Sequence, residues 1–569
     1  MDLEHAWSAA LRTLARTLWQ IEIEGTLLEP PTDPRFGDFT CNAPMRLAKQ
    51  LRKPPRAIAE ELARAVRNAG FPRLAKVEVA GAGFVNFTAG PEFLQEELAR
   101  ILSEGARYGR STMGGGRKVL VEHCSANPTG PLHIAHGRQA AVGDSLAHIL
   151  DFAGYRVERE FYINDTGNQI EMLGKSILWR LSDAAEPPDE NCYRGDYIKD
   201  IAAELRASGR TDLEGAKRLG VERLLREIKR DLEDFRVSYD TWTSEDSLHK
   251  SGKVDEVLNF FNSWGLTYPK DGATYLKTTD HGDVEDKPLV KADGTFVYRL
   301  PDMAYHRDKY ARGHEILIDL WGPDHHAHIA TMKAGMKALN FNLVPMAEVR
   351  SASTAVPEQR PVAFEVLLIQ YCRLLRGGVE QKMSKRAASY VTLRELMEEV
   401  GVDAARFFFA MRKPSAHLDF DLDVAKQQSK DNPYYYAGYA HARVCNITVK
   451  GLEDKKIAPA DVTDGVWRGA YDASRIGPDE AALLKVARQF QRHLEIAARD
   501  LDPAFVAEYL RELSGAYQSY YELGKPDPGK KVLCDDEPTR RTRLAVSAAV
   551  QQVLRNGFAL LGLHAPEKM

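Results

Sequence analysis

A strand, a tight turn and a helix follow one another between residues 119 and 153, and this succession limits the fold more than any other stretch. Residues 119–123 (VLVEH) form a short apolar run, and the turn that follows, residues 127–131 (NPTGP), cannot continue a helix or a strand. Apolar residues then recur at helical spacing up to Gly154, and residues 157–162 have the composition of a second strand. The stretch therefore predicts one βαβ unit of a parallel α/β sheet.

Two histidines, His133 and His136, stand where the predicted helix begins. Three-residue spacing places both imidazoles on one side of the first turn, beside backbone N–H groups that have no partner within the helix. These groups carry the positive end of the helix dipole, which attracts phosphate. On these residues alone, a phosphate site and a purely structural role both remain open.

A second stretch, about 250 residues further along the chain, favours the phosphate site. Residues 381–386 (QKMSKR) place Lys382 and Lys385 three residues apart in a polar segment. The segment leads into Thr392-Leu393-Arg394-Glu395, a capping box that predicts the start of a helix ending at Gly401. Two lysines on a polar loop are suited to bind the charge of a nucleotide.

The two stretches resemble the signature elements of one enzyme class. PLHIAHG resembles the HIGH element, and KMSKR the KMSKS element, of class I aminoacyl-tRNA synthetases, in the same order and at a similar separation. Within that class the chain resembles the arginyl-tRNA synthetases through SANPTGPLH, FYINDTGNQI, VYRLPDMAYHRDKY, LWGPDHHAHIATM, KMSKRAASYVTLREL, LDFDLDVA and NPYYYAGYAHARV. The resemblance extends from residues 36–39 to the final LLGLHAPEKM, which is essentially the whole chain.

The resemblance implies a two-step reaction with ATP as a substrate. Arginine is activated as the adenylate with release of pyrophosphate, and the arginyl group is then transferred to the 3′-terminal adenosine of tRNA(Arg). Mg²⁺ is expected to accompany the nucleotide. The resemblance assigns catalysis to His133, His136, Lys382 and Lys385. The residues expected to bind ATP are His133, His136, Gly137, Gly322, Asp324, His325, Met383, Ser384 and Lys385.

The arginine pocket can be argued from chemistry as well. A guanidinium is planar and permanently charged, and a carboxylate binds it best through two parallel hydrogen bonds. In VYRLPDMAY, Pro301 fits the first position of a helix, so Asp302 falls in the opening turn with Tyr298 just ahead of it. The resemblance assigns the side-chain contacts to Tyr298 and Asp302, and the amino and carboxylate end of the substrate to Asn127 and Glu245. The alternative for Asp302 is an acid that only stabilises the helix dipole.

The resemblance and the pattern of the sequence together predict the fold class and the domain organisation. We expect an α/β protein with a Rossmann-type class I synthetase catalytic domain, a helical insertion, an α+β N-terminal domain and an all-α C-terminal anticodon-binding bundle. The expected boundaries are residues 1–112, 113–426 and 427–569, with the insertion at about 192–287 and the KMSKR loop at 382–386. The first domain carries a basic patch of Arg46, Lys49, Arg52, Lys53 and Arg56, for which a solvated surface is an equally good interpretation.

The helix that opens the C-terminal bundle mixes aromatic and charged residues. Tyr436, Tyr439, His441 and Arg443 are predicted to bind tRNA, because aromatic rings and cations suit unpaired bases. The tyrosines could equally be core residues. Two positions depart from the family pattern: Ala135 replaces the glycine at the third position of the HIGH element, and Gly438 replaces a glutamine of YVQYAHAR.

Composition bears on the nucleic-acid surface, the metal content and the compartment of the protein. The net charge of −4 gives no sign of a nucleic-acid partner, so any RNA surface must be local. The six cysteines form no CxxC pair, and neither they nor His325, His326 and His328 make a convincing metal site, so we expect no zinc. The N-terminus lacks a signal pattern and no stretch approaches the ~18 apolar residues of a membrane helix. A cytoplasmic monomer without membrane contact is expected.

Two other functions remain to be weighed. Another cytidylyl- or adenylyltransferase with an HxGH element would share the phosphate chemistry, but the helical C-terminal region argues against it. A non-catalytic RNA-binding or scaffold relative would not need the four residues His133, His136, Lys382 and Lys385, which are all present.

Overall fold

The computed structural model describes residues 3–25, 27–31, 36–182, 184–349, 360–381 and 391–569. The helices are α1 Leu3–Trp19, α2 Ala43–Leu51, α3 Pro55–Ala69, α4 Pro91–Glu104, α5 Ile134–Phe152, α6 Gly167–Leu181, α7 Asp196–Ser208, α8 Leu213–Asp234, α9 Glu245–Lys250, α10 Lys253–Ser263, α11 Arg299–Ala311, α12 His328–Ala338, α13 Leu393–Val400, α14 Val402–Ala410, α15 Leu422–Lys426, α16 Pro433–Glu453, α17 Pro478–Ala487, α18 Phe490–Asp500, α19 Ala504–Glu522 and α20 Glu537–Leu560.

The strands are β1 Phe39–Cys41, β2 Leu74–Ala80, β3 Phe84–Ala89, β4 Lys118–Glu122, β5 Arg156–Ile163, β6 Thr241–Ser244, β7 Thr267–Lys270, β8 Ala273–Leu276, β9 Lys287–Val290, β10 Ile316–Trp321, β11 Asn342–Leu343, β12 Pro361–Leu368, β13 Cys372–Arg376, β14 Val379–Glu380, β15 Leu418–Asp421, β16 Val462–Thr463 and β17 Val466–Trp467. Among the described helices, none combines the length and apolarity needed to cross a bilayer.

The chain packs as two compact units whose limits differ from the expected domain boundaries. The smaller unit holds residues 1–108, 443–489 and 515–553, and the larger unit holds residues 109–442, 490–514 and 554–569. The C-terminal region is therefore divided between the units, because the larger unit includes α18 and the final residues.

The larger unit is built on a six-stranded parallel sheet with the order β11–β12–β10–β4–β5–β6. From β4 the chain adds β5 and β6 on one side, and later places β10 on the other side of β4. The direction of winding thus reverses between β4 and β10, and in such sheets ligands bind beyond the carboxyl ends of the strands at this point. The βαβ unit predicted from residues 119–162 is confirmed as β4, α5 and β5.

One part of the sheet was not anticipated. The stretch at about 192–287 was expected to be a helical insertion, and it is helical in α7 and α8, but Thr241–Ser244 forms β6 at the edge of the main sheet, paired with β5 at Glu160–Ile163. The stretch also contains β7 and β8 of a small antiparallel sheet. Because an edge strand of the composition TWTS is only half buried, it lacks the apolar run of a central strand.

The smaller unit contains a three-stranded antiparallel sheet and the helices α1 to α4. Trp7 is fully buried at its centre, against the rings of Phe39 and Phe87. Asp38 accepts a hydrogen bond from the Ala89 backbone N–H at 2.8 Å. In the predicted basic patch, three of the cations contact neighbouring groups: Arg46 donates to the Glu24 carbonyl, Lys53 pairs with Glu61 and Arg56 pairs with Glu60.

Arg406 is a buried cation that joins separate parts of the larger unit. From α14 it donates to the Asp144 carboxylate of α5 at 2.5 Å, to the Leu561 carbonyl at 3.0 Å and to the Phe235 carbonyl at 3.0 Å. Both members of the ion pair are almost fully buried. Burial raises the pKa of Asp144, but the Arg406 guanidinium outweighs it and holds that pKa below its usual range.

Gly438, on α16, lies against the C-terminal tail, which is residues 566–569. A methyl group built on Gly438 would lie 2.8 Å from Met569 Sδ and 2.8 Å from Pro566 Cγ. The tail is also bound by His441, whose Nδ1–H donates to the Pro566 carbonyl at 2.8 Å. The departure from the family glutamine thus has a steric consequence in this chain: the tail occupies the space that a side chain at residue 438 would need.

We predict that Arg406→Met lowers the stability of the larger unit severely. Removing one member of a buried ion pair typically costs about 3–5 kcal/mol, and Asp144 would keep only its longer contacts with His148 at 3.6 Å and Arg159 at 3.7 Å. The matched control is Arg373→Met, because Arg373 also binds a carboxylate (Asp419, at 2.7 and 2.8 Å) but is half exposed. The denaturant midpoint of the full chain measures both variants. Equal midpoints for the two variants would contradict the buried role of Arg406.

We further predict that the effect of Gly438→Gln reverses in sign when residues 566–569 are deleted. In the full chain the new side chain overlaps the tail, and overpacking costs about 1–3 kcal/mol. Without the tail, glutamine should stabilise helix α16 by up to ~1 kcal/mol, because glycine is a poor helix former. Thermal midpoints of Gly438→Gln in both backgrounds test this. Destabilisation of similar size in both backgrounds would show that the tail is not the obstacle.

Candidate active site

The two histidines of the HIGH element begin helix α5 as their spacing predicts. His133 is the residue before the first helical turn, and its backbone N–H donates to His136 Nδ1 at 3.3 Å. The two rings stack with their centroids 3.7 Å apart and their planes 19° from parallel. Both imidazoles therefore lie at the amino end of α5, directly beyond the carboxyl end of β4.

The chain returns beside His133 immediately after the KMSKR segment. The Leu393 backbone N–H donates to the Leu132 carbonyl at 2.8 Å, and His133 and Thr392 form an antiparallel bridge. Thr392 and Glu395 make the predicted capping box of α13, which ends at Gly401. Lys382, Met383, Ser384 and Lys385 themselves lie outside the described residues.

Gly137 permits this close approach. A methyl group at this position would lie 2.8 Å from Leu393 Cδ1 and 3.3 Å from the Phe409 ring. This glycine, which directly follows the HIGH element, therefore lets α5 pack against α13 and α14. Residue 135 is a half-buried alanine in the same first turn.

Asp302 lies in the opening turn of α11, as expected, and two histidines bind its carboxylate. His328 Nε2 is 2.8 Å from Oδ2, and His306 Nδ1 is 3.2 Å from Oδ1. Burial raises the pKa of Asp302, but the hydrogen bonds from His306 and His328 outweigh it and hold that pKa well below its usual range. The low pKa keeps this carboxylate anionic. About a quarter (26%) of the side chain remains exposed, so the carboxylate is also accessible.

The helix around Asp302 differs from the prediction in one detail. α11 begins at Arg299, with Tyr298 as the residue before it, so Pro301 is the third residue of the helix and not the first. A proline is tolerated there because the first N–H groups of a helix have no intrahelical acceptor. Tyr298 is 57% exposed, and its ring centroid lies 5.3 Å from that of His328.

Behind Asp302, a network of buried charged side chains extends into the main sheet. His306 Nε2 lies 2.8 Å from Asp319 Oδ2, and Lys309 Nζ donates to Asp319 Oδ1 at 2.8 Å and to Glu122 Oε2 at 2.5 Å. Ser125 in turn donates to Glu122 at 2.8 Å. Burial and Lys309 lower the pKa of His306, but Asp319 and Asp302 outweigh them and raise it to about 10. Burial raises the pKa of Glu122 to about 7 against the opposing effect of Lys309.

Glu245, the other expected acid of the arginine pocket, begins the short helix α9. Tyr162 donates to its Oε2 at 2.9 Å and Thr166 donates to its Oε1 at 2.8 Å. These two hydroxyls orient the carboxylate. Asn127 follows β4 and donates from Nδ2 to Gln169 Oε1 at 2.8 Å. Asn127 and Glu245 thus follow the carboxyl ends of β4 and β6, on the same edge of the sheet.

Gly322, Asp324 and His325 follow the carboxyl end of β10, where a single turn of 3-10 helix spans Pro323–His325. Asp324 and His325 are exposed, and His325 Nε2 lies 3.6 Å from Asp324 Oδ2. His326 is exposed as well, whereas His328 is buried and bound to Asp302. The three histidines of this motif therefore do not act together: His328 belongs to the surroundings of Asp302.

The residues predicted to bind tRNA lie on α16 with different surroundings. Tyr436 and Tyr439 are half buried, and Tyr439 stacks on Tyr435 with ring centroids 5.9 Å apart. His441 is fully buried, and burial lowers its pKa to about 4. A buried, neutral His441 does not fit the predicted direct contact with RNA. Arg443, in the smaller unit, lies 4.3 Å from the centre of the Tyr521 ring.

Sequence reasoning missed His306, Lys309 and Asp319, although the pattern contained a signal. Asp302, His306 and Lys309 are spaced at i, i+4 and i+7 and therefore share one face of α11. Asp319 interrupts the apolar run ILIDLW of β10 and is fully buried. A polar stripe on a helix that faces an acid in a central strand indicates a buried ion network.

Comparisons with known proteins agree with this geometry. Residues 1–89 match the model of the arginyl tRNA synthetase N terminal domain, residues 97–188 that of the class I (R) tRNA synthetase catalytic domain, and residues 437–569 that of the DALR anticodon binding domain. The structure of the Thermus thermophilus arginyl-tRNA synthetase covers 100% of both chains with a TM-score of 0.73 at 23% identity, which shows a common fold.

Two curated relatives extend the comparison to the whole sequence. The arginine–tRNA ligase of Nitratidesulfovibrio vulgaris (strain Miyazaki F) is 42% identical over 99% of this chain and 98% of its own. The arginine–tRNA ligase of Shouchella clausii is 43% identical over 96% of this chain and 95% of its own. Identity of this extent over almost the whole of each chain shows that the protein belongs to the arginyl-tRNA synthetase family.

Proposed function

We propose that the crevice beyond β4 and β10 is where this chain carries out both steps of arginine–tRNA ligation, with Asp302 as the acid that selects the guanidinium. The chain activates L-arginine with ATP and transfers it to its tRNA. The observation that carries the proposed site is the Asp302 carboxylate, which is anionic, partly exposed and held by two histidines beside Tyr298.

The proposed arginine pocket has two ends. Asp302 would bind the guanidinium through parallel hydrogen bonds, with the exposed ring of Tyr298 beside it. The substrate ammonium would bind Glu245, whose two carboxylate oxygens are already oriented by Tyr162 and Thr166. Asn127, at the end of β4, would bind the substrate carboxylate, close to where that carboxylate attacks the α-phosphate.

The proposed nucleotide site uses the amino end of α5. His133, His136 and Gly137 would lie against the phosphates and adenosine of ATP, and Gly322, Asp324 and His325 would complete the site from β10. Both steps of the reaction build negative charge, which fixed positive partners stabilise. Lys382 and Lys385 would supply such charge from the segment that ends at Thr392 beside His133, and Met383 and Ser384 of the same segment would bind ATP through neutral contacts.

Mg²⁺ would accompany the nucleotide and neutralise phosphate charge. Asp302 and Asp319 already bind histidine and lysine N–H groups, whereas the Asp324 carboxylate is exposed and suits a hydrated cation. We therefore propose that the Asp324 carboxylate binds this Mg²⁺ ion.

Recognition of tRNA is proposed for the domains at the two ends of the sequence. In this proposal the predicted domains, 1–112, 113–426 and 427–569, are the functional units of the chain. Support comes from the matched models at residues 1–89 and 437–569, which are those of a synthetase N-terminal domain and an anticodon binding domain. Tyr436, Tyr439 and Arg443 would contact the RNA, and His441 would hold the C-terminal tail. We also propose a monomer that acts in the cytoplasm, where charged tRNA is consumed by translation.

Asp302→Asn tests the arginine pocket. Loss of a charged hydrogen-bond partner should cost roughly 1.5–3 kcal/mol of arginine binding, so the arginine KM should rise about tenfold or more while the ATP KM changes little. Arginine-dependent exchange of pyrophosphate into ATP, with tRNA present, gives both constants. The matched control is Asp324→Asn, which should affect ATP and leave arginine unchanged. An unaltered arginine KM in folded Asp302→Asn would remove Asp302 from the pocket.

Tyr439→Ala tests the RNA surface. Loss of one base-stacking ring typically costs about 1–3 kcal/mol, so the tRNA KM of aminoacylation should rise about fivefold or more, with unchanged KM values for ATP and arginine. A point substitution is preferable to truncation, because α18 packs on α5 within the larger unit through Phe490 and Phe152. Tyr434→Ala, which removes a ring packed against Phe407, is the control for loss of packing alone. Equal tRNA effects in both variants would argue against stacking by Tyr439.

A further inference from the structure

Both ring nitrogens of His306 face hydrogen-bond acceptors. Nδ1 lies 2.9 Å from the Asp302 carbonyl oxygen and 3.2 Å from Asp302 Oδ1, while Nε2 lies 2.8 Å from Asp319 Oδ2. Neither neighbour can donate a proton to the ring. Each nitrogen must therefore carry hydrogen, which makes His306 an imidazolium at a position that is 1% exposed.

His328 approaches the same carboxylate from another helix. It is the first residue of α12, is 7% exposed, and its Nε2–H donates to Asp302 Oδ2 at 2.8 Å. Its ring also lies 5.3 Å from the ring of Tyr298 and 5.4 Å from that of Trp321, measured between centroids. His328 thus contacts both residues proposed to bind the arginine side chain.

We propose that His306 and His328 are positioning residues of the arginine pocket, which fix the rotation of the Asp302 carboxylate so that its exposed edge is presented to the guanidinium. This inference rests on the proposed role of Asp302. His328 donates to Oδ2 and His306 lies 3.2 Å from Oδ1 in an ion pair, so the carboxylate cannot turn about its last bond without losing the hydrogen bond from His328 and lengthening the ion pair with His306. A guanidinium needs both oxygens at once in one plane, and an acid that is already oriented loses less entropy on binding.

The charges behind Asp302 explain why a neighbouring cation does not cancel its attraction for arginine. His306 and Lys309 are the two cations of the cluster, and Asp302, Asp319 and Glu122 are its three acids. With Glu122 ionised, the cluster has one negative charge in excess. Lys309 and Asp319 are fully buried, so the excess is best neutralised at Asp302, which is the partly exposed acid of the three. A substrate cation completes this balance.

The experiment compares His328→Ala with His328→Gln in the full chain. Removing the Nε2–H donor should raise the arginine KM about tenfold, equivalent to ~1.4 kcal/mol, with an ATP KM within about twofold of the wild type. Glutamine can donate from a similar position, so His328→Gln should stay within about threefold for arginine. The matched control is His326→Ala, an exposed histidine of the same turn, which should change neither constant.

A double-mutant cycle with Asp302→Asn separates a positioning role from a structural one. If His328 acts through Asp302, His328→Ala should change the arginine KM by less than about twofold once Asp302 is asparagine. His306→Gln enters the same cycle, and its thermal midpoint reports whether loss of the imidazolium damages the fold. His328 variants keep the test valid if His306→Gln does not fold.

The outcomes separate a failure of the positioning role of His306 and His328 from a failure of the proposed role of Asp302. An unchanged arginine KM in Asp302→Asn would remove Asp302 from the pocket and the inference with it. A raised arginine KM in Asp302→Asn together with an unchanged value in His328→Ala would overturn the positioning role alone. Equal losses for arginine and ATP in His328→Ala, or full additivity in the cycle, would also overturn it, because both indicate general damage.

Discussion

Lys309 is a fully buried ammonium between two strands, and the site depends on how it is compensated. It binds Glu122 at the end of β4 and Asp319 in β10, the two strands between which the winding of the sheet reverses. Taking such a charge out of water is costly, and the loss of either acid would leave the buried ammonium with only one of its two carboxylate partners. The ammonium therefore holds α11 in one register over the two strands. Because Asp302 lies two turns before Lys309 on the same face, this register also decides where the Asp302 carboxylate points.

The amino end of α5, the proposed nucleotide site, is held by different means. The amino end of α5 is positioned by packing, since Gly137 admits Leu393 and Phe409, and by backbone hydrogen bonds that join Leu132 to Leu393. The proposed arginine pocket is thus organised by buried ions, and the proposed phosphate site by packing and helix geometry. This division fits substrates of different chemistry: a guanidinium requires an oriented anion, whereas phosphates require donors.

Local signals predicted those parts of the structure that depend on neighbouring residues in the sequence. The strand at 119–123, the start of α5 beside His133, the capping box at Thr392 and the place of Asp302 in an opening turn all follow from short-range rules. The edge strand β6 could not be predicted in this way, because it is defined by pairing with β5 and has no apolar run of its own. The partners of Asp302 were missed for a related reason: a histidine or lysine on a helix is normally read as solvent-exposed. Only the fold brings Asp319 beneath that face.

The same distinction applies to the end of the chain. By sequence, residues 554–569 conclude the anticodon-binding region, yet in the structure they belong to the larger unit, where the Leu561 carbonyl accepts from Arg406. Arg406 also binds Asp144 of α5, so one guanidinium contacts both the helix that begins at His133 and the final segment of the chain. A change in the position of that segment must alter the surroundings of Arg406, and Arg406 cannot move without weakening its buried ion pair with Asp144. The α5 helix and the C-terminal segment are consequently coupled through a buried ion pair, over a sequence separation that no local pattern could reveal.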